Sequence, residues 1–249
     1  MKVRTLLAWG LWLVLVAPGL AWPGKSDTKT KDPAGQMVDE GSFGVFVNGR
    51  RVATETFSIQ QDPTGSLIKS SFKSEPGMAE AAQSSELQLG ANGDLVKYEW
   101  KESSPGQAHA VVVPNDTFLI ERSTDNPGAK QQEQPFLLPA STSVLDDYFF
   151  VDRELLAWKY LAIACRQEKG VLQCPANHPT QFGALNPHSR SSLLVNMQFE
   201  AREPVAIRGV QRELNHFELK SDADDWGLWL DDQFKLVRIV AGNTEIVRD

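Results

Sequence analysis

The sequence predicts a mainly β protein: a curved antiparallel sheet or incomplete β-barrel with one central helix packed against it. Short runs of alternating apolar and polar residues recur on both sides of the middle of the chain, at even spacing. Tight turn sequences separate them. Asn48-Gly49 is the strongest, because a type I′ turn needs positive φ at both central residues. Beyond the N-terminal leader, strong helical periodicity is confined to Leu145 to Tyr160.

Met1 to Ala21 reads as a secretory signal peptide. Lys2 and Arg4 start it, Thr5 to Val16 is apolar, and Pro18-Gly19-Leu20-Ala21 ends it with small residues, placing cleavage near Ala21. The apolar run is short of the roughly 20 residues of a spanning helix. The mature protein is then expected in the periplasm or secreted, with a membrane encountered only through export. Trp22 to Glu40 reads as a disordered lead-in, rich at its start in Lys, Asp, Thr, Pro and Gly. A single β-rich domain is expected over 41–249.

Within that domain, Phe43 to Val47 and Arg50 to Gln60 form the first hairpin, with Ala53, Phe57 and Ile59 on one side of the second strand. Asp62-Pro63-Thr64-Gly65 turns the chain into Leu67 to Phe72. Ser85 to Leu89 and Leu95 to Trp100 follow, then Ala108 to Val113 and Thr117 to Arg122 around Pro114-Asn115-Asp116. Ser123 to Gln134 reads as a long polar loop.

The helix comes next. Leu145, Tyr148, Phe149, Leu155 and Leu156 share one face, widened by Phe150, Val151 and Trp158 and interrupted by Asp152. Ser143 is the expected N-cap, with Asp146 at N3 and Asp146-Asp147 in the first turn, where the dipole favours anions. Lys159 and Arg166 fall near or past the last turn. Beyond it, Pro175 to Arg190 is the least regular part. Ser192 to Glu200, Val205 to Val210, His216 to Lys220, Trp226 to Leu230, Phe234 to Val240 and Thr244 to Arg248 then form an antiparallel series.

Cys165 and Cys174 are the only cysteines. In an exported chain such a pair forms one disulfide most simply; a redox or metal pair is the alternative, although the spacing is not C-x-x-C.

The opening Gly41-x-Phe43-x-Val45 strand with Asn48-Gly49, the Val144 to Phe150 helix start, and the closing Leu228 to Ile239 and Glu245 to Arg248 strands resemble exported bacterial domains of unknown function, the DUF3108/DUF6134-like group. The resemblance covers most of Gly41 to Asp249. It implies the same curved sheet or incomplete barrel with a helix against it, and it carries over no catalytic residue. The Cys165 to Cys174 segment and the Pro175 to Arg190 loop depart from the pattern.

Little in the chain points to catalysis. The net charge is −7, and loss of Lys2 and Arg4 with the leader takes it to −9. An acidic surface argues against nucleic-acid binding. No G-x-S-x-G, HExxH, G-x-G-x-x-G or Walker A sequence occurs, so no catalytic residue, cofactor or metal ligand is assigned. Asp146-Asp147, Asp224-Asp225 and Asp231-Asp232 read as a helix start and two turns, or as parts of a calcium site. His178 and His188 share a loop, either as surface residues or as metal ligands. The aromatic residues Trp100, Tyr148, Phe149, Trp158, Trp226 and Trp229, with Phe234, either fill the core or line a cavity between sheet and helix. The expected function is therefore a binding or carrier module for an apolar small molecule or envelope component. The alternative is a structural module that meets an envelope protein and has a filled core.

Overall fold

The computed structural model describes residues 35–249, apart from 169–170, 176–177 and 223–224. The signal-peptide assignment, the lead-in up to residue 34 and Asp224 lie outside the described residues. The strands are β1 (Gln36–Val47), β2 (Arg50–Asp62), β3 (Gly65–Ser74), β4 (Ala82–Gly90), β5 (Leu95–Ser104), β6 (His109–Asn115), β7 (Phe118–Thr124), β8 (Gln132–Phe136) and β9 (Ser143–Val144). The helix α1 (Val151–Ala164) follows. Then come β10 (Arg166–Glu168), β11 (Val171–Gln173), β12 (Thr180–Asn186), β13 (Ser191–Ile207), β14 (Val210–Lys220), β15 (Asp225–Leu230), β16 (Leu236–Ala241) and β17 (Thr244–Arg248).

Fifteen of these strands make one sheet, in the order β8 to β1, then β17 to β12, then β9. It is built from two meanders joined in the middle, where β1 pairs antiparallel with β17 from Phe43–Arg248 to Val47–Thr244. Among the described residues only the β9–β12 contact is parallel. The mainly β, curved and open sheet with one helix against it is the architecture the sequence predicts. Asn48 and Gly49 have φ of 51° and 75°, as the hairpin sequence requires.

The sheet does not close by strand pairing. Its edges are β8 and β9, joined by Leu137 to Thr142, a segment that spans at most roughly 25 Å. Side chains bridge this seam. Arg190, in the β12–β13 turn, donates to Gln132 Oε1 of β8 at 3.1 Å, and its carbonyl accepts from Gln134 Nε2 at 3.3 Å. Its Nε lies 3.4 Å from Glu121 Oε1 of β7.

One apolar core lies between the concave face and α1. It includes Phe43, Tyr98, Phe149, Tyr160, Met197 and Phe217, all fully buried. The far end of the β13–β14 ribbon covers the other face: Val205, Ile207 and Leu214 pack with Val237 and Val247. Pro204 sits in this ribbon beyond the reach of β12, where β13 pairs on one side only, so the missing N–H costs little.

Several boundaries differ from the sequence reading. β1 starts at Gln36, inside the expected lead-in, because Asp39 is buried against Arg248 and Lys235. β8 occupies the end of the expected polar loop, and β12 lies within the stretch read as irregular. The helix starts at Val151 rather than near Leu145, and Ser143 is a β9 residue paired with Ala184 instead of an N-cap. No basic residue occupies its last turn. Cys165 closes the helix, and its disulfide to Cys174 ties that end to the β10–β11 hairpin, at a Cα–Cα distance of 4.3 Å. Among the described residues no helix is long and apolar enough to cross a membrane.

Candidate functional site

The start of α1 explains why its position was hard to read. Phe150 offers no side-chain cap. The cap comes from Glu55 in β2, whose Oε2 accepts from Phe150 N at 2.7 Å and whose Oε1 accepts from Val151 N at 3.4 Å and Ser70 Oγ at 2.7 Å. A carboxylate there satisfies orphan helix amides from 95 residues away. Burial pushes the Glu55 carboxyl up to about 7, against the hydrogen bonds that pull it down.

Beside this cap, the segment before the helix holds a buried polar cluster. Asp146 is fully buried. Its Oδ2 accepts from Tyr98 Oη at 2.6 Å and faces His188 Nδ1 at 2.7 Å, and its Oδ1 accepts from Tyr148 N at 2.9 Å. The Asp146-Asp147 pair is therefore not a first-turn dipole pair. Asp147 Oδ1 accepts from Asn186 Nδ2, which pins the β12 end. His188 Nε2 lies 2.6 Å from Gln83 Oε1, and its ring is held between Trp100 (4.0 Å) and Tyr148 (4.8 Å). An imidazole engaged on both nitrogens and flanked by two rings is a latch between the two meanders, with no free position to take a substrate proton.

Arg153 lies beneath the cluster, donating to the carbonyls of Asp146 and Phe149 and sitting over Phe150 and Trp226. A second buried cluster places Asp39 between Arg248 and Lys235, with Glu154 accepting from Leu236 N. Burial and the neighbouring Asp39 push Glu154 well above the carboxylate range.

These buried acids set a pH dependence. Burial also lifts Glu121 to about 7, with Arg190 pulling the other way. A carboxyl raised from 4.5 to about 7 stabilises the fold fully below 4.5 and loses that contribution as pH rises through 7. Glu99 (beside Lys101 and Lys97) and Asp249 (beside Arg51) are lowered to about 2, so their contribution is lost only as pH falls toward 2. Stability is expected to peak near pH 5 and to fall by on the order of 2–4 kcal/mol by pH 8. Urea midpoints at the two pH values measure this, and a higher midpoint at pH 8 would contradict it.

A cavity of about 510 Å³ lies between α1 and the N-terminal meander. Asp152, Leu155, Leu156, Lys159, Ala162 and Ile163 line it from one stripe of the helix, as their spacing dictates. Ile59, Leu87, Leu89 and Val144 form the opposite apolar wall. The bottom is buried at Leu156, Ile59 and Asp152. The mouth opens at Ala91 to Gly93, Val38 and Ile163, the last 62% exposed. Burial and the charge of Asp146 push the Asp152 carboxyl well above its ordinary value.

The six aromatic residues singled out from the sequence do not share one space. Trp158 lines the cavity, its Nε1 donating to the Phe234 carbonyl at 2.6 Å. Trp100 and Tyr148 hold His188, and Phe149 is fully buried in the core. Trp226 lines a separate hollow of about 290 Å³ with Arg153. Trp229 alternates to the other face, stacking on His216 at 4.4 Å and donating to Glu203. His178 is exposed beside Cys174, apart from His188. Asp231 Oδ1 caps its own turn by accepting from Gln233 N and Lys235 N. Among the described residues no group of three His, Cys, Asp or Glu is placed to hold a metal ion.

The sequence reading missed Glu55 and Glu121. Glu55 has the same strand parity as Ala53, Phe57 and Ile59, and a carboxylate on an apolar stripe is the signal that marks it. Comparison with protein-family models, curated proteins and solved structures returned no match for this chain.

Proposed function

We propose that the protein is an exported, non-catalytic carrier that holds an apolar ligand between α1 and the N-terminal meander. The observation that carries this reading is the 510 Å³ cavity with its apolar helix stripe and apolar sheet wall. Its size falls within the roughly 300–1,000 Å³ of small-molecule sites, which are mostly apolar with a few polar groups. The remaining interior is filled by Phe149, Tyr160 and Phe217, so the space is local rather than a sign of a loose core. The Cys165–Cys174 disulfide supports an oxidising compartment, in keeping with the signal-peptide pattern.

Native mass spectrometry of the purified chain after exposure to long-chain fatty acids, alcohols and phospholipids tests the reading. One ligand retained per chain is expected. Ala162→Trp, which fills the cavity from an exposed helix position, should abolish retention with the far-ultraviolet circular dichroism unchanged. No ligand retained by the unaltered chain would sink the carrier and favour an interaction module of the envelope.

A further inference from the structure

Among the described residues the cavity wall holds one cation, Lys159. Its ammonium donates to the Ser141 carbonyl and lies 3.4 Å from Ser143 Oγ. Among the described residues no carboxylate stands within ion-pair distance of it, while twelve other Lys or Arg residues of this acidic chain do pair, such as Lys235 with Asp39 at 2.9 Å. Burial pulls its pKa below the ordinary lysine value, and Asp94 opposes this only through space. A half-buried ammonium without a counter-ion is costly unless an anion joins it.

A second observation lies beside it. Thr142, 5% exposed and lining the same cavity, has a hydroxyl with no hydrogen-bond partner. A donor left over in a cavity wall is an open hydrogen-bonding position. The deeper wall is apolar, through Leu155, Leu156, Ile59 and Leu87. Asp152 at the bottom accepts from Asp146 N, and burial shifts its carboxyl toward the neutral form.

We infer that the ligand is a single-chain amphiphile with a carboxylate head, the head meeting Lys159 and Thr142 and the chain lying along the Leu155–Leu156 wall. This rests on the carrier reading above. The amide of Thr142 is already used, donating to the Pro139 carbonyl, so the hydroxyl is the group left for the head.

Displacement of a neutral fluorescent apolar probe from the purified full chain, by palmitate and by hexadecanol at pH 7.5, tests the assignment. The unaltered chain should favour palmitate about tenfold, the scale of one charge-assisted hydrogen bond. Lys159→Met should remove that preference by weakening palmitate alone, and Lys159→Arg should keep it. Equal affinity for acid and alcohol, or a preference that survives Lys159→Met, would overturn the head-group assignment and leave the carrier reading standing. Failure of both ligands to displace the probe from the unaltered chain would overturn the carrier reading as well. Far-ultraviolet circular dichroism of each variant confirms that a lost preference is not lost folding.

Discussion

Glu55→Ala is expected to lower the unfolding free energy by about 3–5 kcal/mol, since each buried donor left unsatisfied costs roughly 1–3 kcal/mol. Three groups lose their acceptor at once: Phe150 N, Val151 N and Ser70 Oγ. The residue is fully buried, so water cannot replace the carboxyl. The helix should fray from its first turn, and amide exchange at Phe150 and Val151 should accelerate more than at Tyr160. Urea denaturation followed by tryptophan fluorescence gives the stability change. A loss under about 1 kcal/mol, below the usual cost of a single buried orphan donor, would mean that Glu55 does not cap this helix.

Asp146→Ala should cost a similar amount, about 3–5 kcal/mol, by removing one partner of a buried charged cluster. Tyr98 Oη and His188 Nδ1 both lose the same oxygen. The structural consequence differs from that at Glu55. His188 belongs to the turn that carries Arg190 across to β7 and β8, so the seam between the edge strands should loosen. The double variant with His188→Ala should be less damaging than the two single losses added together, with a coupling of about 1–3 kcal/mol, as expected for groups in contact. Additive losses would show that the carboxylate and the imidazole act separately.

The strands, the Asn48-Gly49 hairpin and the disulfide could be read from the sequence because each depends on neighbours within a short window. Alternation shows a half-buried strand and a positive-φ pair shows a turn, whatever lies across the fold. The helix start failed for the opposite reason. Ser143 and Asp146 offered a local cap, and the protein uses a carboxylate from the second strand instead. The aromatic set was divided by strand parity: Trp226 and Leu228 face the helix, whereas Trp229 faces away. Lys159 looked like a charge near the helix end. Its position on a cavity wall depends on the Ser141 to Val144 segment, which no periodicity describes.

The pairing of β1 with β17 also governs how the chain reaches this state. Arg248 meets Asp39 across 209 residues, while most other strand contacts join sequence neighbours. Each meander can assemble from hairpins on microsecond timescales. The central pairing cannot begin until both meanders and the intervening helix segment are available, and such non-local closures place β proteins in the millisecond-to-second range. Until it forms, β1 and β17 both present unpaired edges in the middle of the future sheet. The slow step of folding is therefore also the interval of greatest exposure to edge-to-edge association.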